Sequence, residues 1–142
     1  MKNTILHIAI FSLSLLLIYT CKKEETTMPP SVITASVDSI SYTSARVGGN
    51  VSADGGVKVS ERGVYWGIAA GADTTGVKLQ IGSGTGAFFY TLTGLTSGVK
   101  YYVKSYATNS NGTSYGRETS FTTQISMPTI TTSTITDYTS TT

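Results

Sequence analysis

The run Leu92-Thr-Gly-Leu-Thr-Ser-Gly-Val-Lys-Tyr-Tyr-Val-Lys-Ser-Tyr-Ala-Thr108 decides how the rest of this chain is read. Tyr101, Val103, Ser105 and Ala107 alternate with Tyr102, Lys104, Tyr106 and Thr108, the two-residue period of a strand with one packed face and one facing water. Upstream, Leu92 and Leu95 bracket Gly94, so two apolar anchors reach the core on either side of a residue that lets the chain turn. The alternation predicts that Tyr102 and Tyr106 point to solvent, with Tyr65 beside them from a pairing strand. That makes the three tyrosines a candidate surface for a sugar ring or a protein partner. The competing expectation is a cross-strand aromatic group that only stabilises its sheet.

Outward from this run the chain is a series of short strands and turns. Strands are predicted at 31–36, 43–52, 57–67, 75–81, 87–92 and 113–123, with turns at Ala53-Asp54-Gly55-Gly56, Gly82-Ser83-Gly84-Thr85-Gly86 and Asn109-Ser110-Asn111-Gly112. Val64 and Trp66 share the face expected to enter the core. No stretch has helical periodicity. About seven strands in roughly 95 residues predict an all-β, immunoglobulin-like antiparallel sandwich. Only 13% of the residues are charged and the formal net charge is +2, with no basic stripe, which argues against a nucleic-acid partner.

The spacing Leu92-x-x-Leu95-x-x-Gly98-x-x-Tyr101-x-Val103 resembles the corner of fibronectin type III domains, in which the tyrosine hydroxyl ties back to upstream backbone. Leu92, Leu95 and Tyr101 are the structural corner that this resemblance implies. Val47-Gly48-Gly49-Asn50-Val51, Glu61-Arg62-Gly63-Val64-Tyr65-Trp66, the run from Tyr101 to Asn109, and Tyr115-Gly116 followed by Ser120-Phe121-Thr122-Thr123 together resemble a repeat variant of bacterial surface lipoproteins. The resemblance implies a fibronectin type III-like domain over 31–124.

The N-terminus has the make-up of an export signal. Lys2 precedes an apolar run at 5–18, about 14 residues long and too short for a comfortable membrane span. His7, the one histidine, lies inside it. Cys21, the sole cysteine, follows at once and is succeeded by Lys22-Lys23-Glu24-Glu25. This junction resembles a bacterial lipoprotein signal, which implies a signal peptide over 1–20 and an acylated Cys21 heading a linker over 21–30. The Lys23-Glu24-Glu25 cluster is similar to a short export signal for the outer face of the outer membrane, so the expected location is lipid-anchored and cell-surface exposed. Pro29 and Pro30 keep the linker extended.

At the other end, Met127-Pro128 and Tyr138-Thr139-Ser140 echo Met28-Pro29 and Tyr42-Thr43-Ser44 at a spacing of roughly one domain length. Residues 125–142 are therefore expected to begin a second repeat that this sequence truncates, loosely ordered from Ser126 onward.

Catalysis is not expected. Asp38, Asp54, Glu61, Asp73, Glu118 and Asp137 are scattered without a defensible pair. After removal of the leader no histidine remains, and Gly82-x-Gly84-x-Gly86 lacks the helix that a phosphate loop needs. Neither a metal nor a cofactor is expected. Arg62 with Glu61, and Lys104, read as solvated surface charges. Two functional classes follow for a monomeric domain. One is a membrane-anchored spacer in a tandem-repeat protein. The other is a glycan- or protein-binding adhesion module using Tyr65, Tyr102 and Tyr106.

Overall fold

A computed structural model of the chain describes residues 26–128 and 130, apart from the side chains at 73 and 74. The leader, Cys21 and most of the expected second repeat lie outside the described residues. Among the described residues, eight strands form two antiparallel sheets. They are β1 (Ser31–Thr34), β2 (Ser44–Ala53), β3 (Glu61–Gly67), β4 (Val77–Gly82), β5 (Gly86–Thr93), β6 (Lys100–Asn109), β7 (Gly112–Tyr115) and β8 (Thr119–Thr122). The first sheet has the order β1-β2-β5; the second has the order β4-β3-β6-β7, with β8 also pairing with β6.

The inner face of β6 is as read. Tyr101, Val103, Ser105 and Ala107 are all buried; Ser105 Oγ donates to the Gly48 carbonyl at 2.8 Å, and the other three meet Ala45, Val47 and Val51 of β2, Val64 of β3, Phe88 and Leu92 of β5 and Phe121 of β8 in one core. Trp66 packs against this core while remaining partly exposed. Each buried Val, Leu or Phe contributes about 1.5–3 kcal/mol relative to exposure, so the interleaved inner faces supply the main stabilisation.

The corner also forms. Leu92 and Leu95 are 3% exposed, and the Tyr101 hydroxyl accepts the Thr96 N–H at 2.9 Å. Gly94 adopts a φ of 73°, a left-handed conformation that a side chain would strain. The Tyr101 ring lies 5.6 Å from Phe121 and 5.9 Å from Trp66, so one residue joins the corner to both neighbouring strands.

Three predicted segments differ. The stretch predicted as one strand over 57–67 is regular only from Glu61, although Val59 is buried and Ser60 donates to the Thr108 carbonyl. One helical turn, α1 (Ala72–Thr75), precedes β4. Four residues are too few to show a helical period; Glu118 fixes the turn from afar by accepting the Gly71 and Ala72 N–H groups at 3.0 and 2.8 Å. The predicted last strand, 113–123, is divided into β7 and β8. Between them the tip of β1 reaches β6, and Thr34 Oγ1 accepts the Ser105 N–H that would otherwise face a continuous partner strand.

The chain arrives and leaves at opposite poles. At the near pole the Met28 N–H donates to the Gly55 carbonyl beside the end of β6. At the far pole the Gln124 N–H donates to the Ser41 carbonyl, beside the start of β6. The ten residues of β6 run between the two, about 30 Å at strand rise.

Candidate functional site

The expected aromatic surface lies on the outer face of the second sheet, and its register decides which tyrosines meet. Gly63 pairs with Tyr106 and Tyr65 with Lys104 across β3 and β6, while Tyr115 of β7 pairs with Tyr106 from the other side. Gly63 lets the β4 backbone come close, since a Cβ there would stand 2.0 Å from the Leu79 carbonyl oxygen, and Tyr65 of β3 packs on Tyr106 and Tyr115. The Tyr65 ring centroid lies 5.1 Å from Tyr106 and 6.2 Å from Tyr115, both tilted. Such pairs add about 0.5–1.5 kcal/mol beyond burial.

Tyr106 is therefore not the solvent-facing residue that alternation predicts. It stands on the outer face but is 1% exposed, covered by Tyr65 and by Lys78, whose ammonium sits 4.9 Å from its ring centroid. Its hydroxyl donates a hydrogen bond to Glu61. Glu61 also pairs with Lys78 at 2.6 Å. Tyr102 is separated from Tyr106 by four positions on the same strand, about 13 Å. It is half-buried, with Lys100 above its ring at 5.3 Å. The structure thus brings Tyr65 and Tyr106 together, adds Tyr115, and leaves Tyr102 apart.

Glu61 and Arg62 are not merely solvated charges either. Arg62 reaches the Gly84-Thr85-Gly86 turn, where one guanidinium nitrogen donates to all three carbonyls at 3.2, 2.7 and 3.2 Å. Lys104 lies 5.3 Å from the Tyr115 ring centroid. The Asp-Gly-Gly and Gly-x-Gly-x-Gly turns were visible in sequence, but the cation that closes the second was not.

Pairing with Lys78 and the bond from Tyr106 hold the Glu61 carboxyl below its ordinary value, and Glu61 raises Lys78 in return. Burial, and then the bond to Glu61, push the Tyr106 phenol well above its ordinary value. A depressed carboxylate stabilises the fold above about pH 4.3, and that contribution is lost as pH falls through the folded value. A raised phenol contributes fully below about pH 10 and loses its contribution as pH rises further. Tyr106→Phe is expected to cost about 1.5–3 kcal/mol at pH 7 through the lost bond to a charged group. Urea unfolding across pH should show the gap between wild type and Tyr106→Phe narrowing above about pH 10.

One further concavity stands at the divided last strand. A groove of about 430 Å³ lies between residues 34–36 and 117–120, lined by hydroxyls, Arg117 and Glu118. Glu118 is already engaged there in holding α1.

No protein-family model matches the chain, and no curated protein matches it. Solved structures do. One is the sensor domain of the anti-sigma factor RsgI4 in Pseudobacteroides cellulosolvens, with a TM-score of 0.53 at 15% identity over 68% of this chain and 96% of that one. Another holds the chicken CNTN1 FN1-FN3 domains, with 0.51 at 19% over 69% of this chain and 32% of that one. A third is a fibronectin type III domain derived from the human KIAA0970 protein, with 0.50 at 15% over 70% of this chain and 77% of that one. At these identities the likeness defines the fold: this chain carries a fibronectin type III-like β-sandwich module.

Proposed function

We propose that this chain is a non-catalytic, membrane-anchored spacer module on the outer face of a bacterial outer membrane, attached through an acylated Cys21 and continued by further repeats. The observation that carries this reading is the placement of the segments that enter and leave the sandwich among the described residues. Met28 is tied to the near pole and Gln124 to the far pole, with the length of β6 between them. An anchor attached to the first end and a further module attached to the second are thereby held apart by the whole sandwich. A stable anchor takes more than one acyl chain, which a lipoprotein cysteine receives.

The aromatic face fits this reading better than it fits recognition. Tyr106 and Glu61 spend their polar groups on each other, and Tyr65 spends its ring on Tyr106 and Tyr115. Of the three candidate tyrosines, Tyr102 alone is neither buried nor part of that cluster. A glycan array probed with the exported chain is therefore expected to give no saturable signal. Saturable binding that Tyr102→Ala or Tyr65→Ala abolishes, with unfolding midpoints retained, would replace the spacer with an adhesion module.

A further inference from the structure

The two poles are built to receive chain, and the sequence says what chain. In the reading of 127–140 as the start of a second repeat, Met127 and Pro128 are the counterparts of Met28 and Pro29. At the far pole, Gln124 is held three ways. Its N–H donates to the Ser41 carbonyl at 3.0 Å, and its carbonyl accepts from the Gly98 N–H at 3.2 Å and the Ser97 hydroxyl at 2.9 Å. The same Ser97 oxygen accepts the Ser126 N–H at 2.7 Å. Order imposed by the sandwich therefore extends past the last strand to Ser126.

At the near pole, the order begins at Met28. Its N–H donates to the Gly55 carbonyl at 2.8 Å, and its carbonyl accepts from Asn109 Nδ2, also at 2.8 Å. Gly55 has a φ of 74°, and a Cβ there would stand 2.0 Å from the Met28 carbonyl oxygen, so this contact requires glycine. Met28, Ile125 and Met127 are 58, 75 and 82% exposed, leaving apolar side chains at both poles with nothing over them in a single module.

We propose that the module stacks end to end on a following module of its own kind, with no free linker between them. Ser126 is the last residue that one module fixes, and Met127 occupies the position of the first residue that the next one fixes. The surfaces that meet are the far pole around Ser41, Ser97 and Ile125 and the near pole around Gly55 and Asn109. The array is then a stiff rod rather than beads on a string. This rests on the spacer reading and specifies how the spacer keeps its length.

The test is a full chain carrying a second copy of residues 28–126 joined directly after Ser126. NMR relaxation is expected to show both modules tumbling as one elongated body, with a correlation time about twofold longer than when four glycines are inserted at the junction. Ser97→Ala is expected to remove the amide-exchange protection of Ser126 and to shorten the correlation time of the direct fusion, with the amide spectra of both modules otherwise unchanged. Independent tumbling of the direct fusion with both modules folded would overturn the rod and leave the anchored spacer standing. Coupling that survives the glycine insertion would also overturn it, by pointing to side-by-side association. Saturable glycan binding would instead strike at the spacer reading and leave the junction geometry untouched.

Discussion

Tyr101→Ala is expected to lower stability by about 3–5 kcal/mol, the range for truncating a large buried aromatic. The ring fills the space between Trp66 and Phe121, and its hydroxyl holds the corner by accepting the Thr96 N–H at 2.9 Å. Tyr101→Phe separates these two roles. It keeps the ring and leaves a partly buried N–H without its acceptor, at a cost of about 1–2 kcal/mol. Thermal unfolding midpoints for the two variants check this directly, because each kcal/mol shifts the melting temperature of a domain this size by roughly 4–8 °C. Equal losses for the two variants would mean that the ring contributes nothing beyond its hydroxyl, which its 5% exposure contradicts.

Asn109 is expected to rank next. In the sequence it is the first residue of a hairpin turn, but the structure makes it the buried last residue of β6, 5% exposed. Its amide nitrogen donates to the Met28 and Asp54 carbonyls at 2.8 and 2.7 Å, and its amide oxygen accepts the Asn111 N–H at 2.8 Å. One side chain thus ties the incoming linker, the β2 turn and the β6–β7 hairpin together. Asn109→Ala strips three groups of their partner, a loss on the order of 3 kcal/mol. Asn109→Asp is nearly identical in shape, yet at neutral pH it would aim a carboxylate at two carbonyls. It is expected to be at least as damaging in the same denaturation assay, whereas a purely steric role for Asn109 would make it mild.

What was legible in the sequence was whatever depends on local spacing. Leu92, Leu95, Gly94 and Tyr101 lie within ten positions, and the alternation on β6 assigns its inner face without knowledge of any partner strand. The fate of the outer face was not legible, because it depends on register. Tyr106 is buried since Tyr65 covers it from β3 and Lys78 arrives from β4, a strand brought alongside only by β3. The division of the last strand escaped for a similar reason: Thr34 and Ser105 are 71 positions apart. A glycine at an outward strand position, as at Gly63, is the signal for close approach of a neighbouring backbone, here the Leu79 carbonyl of β4.

Cys21→Ala tests the central claim most directly. With the chain expressed in a Gram-negative host and metabolically labelled with a clickable palmitate analogue, wild type is expected to carry the label and sediment with outer membranes, and Cys21→Ala to lose both. Wild type without label, or Cys21→Ala still in the membrane fraction, would contradict an anchored spacer.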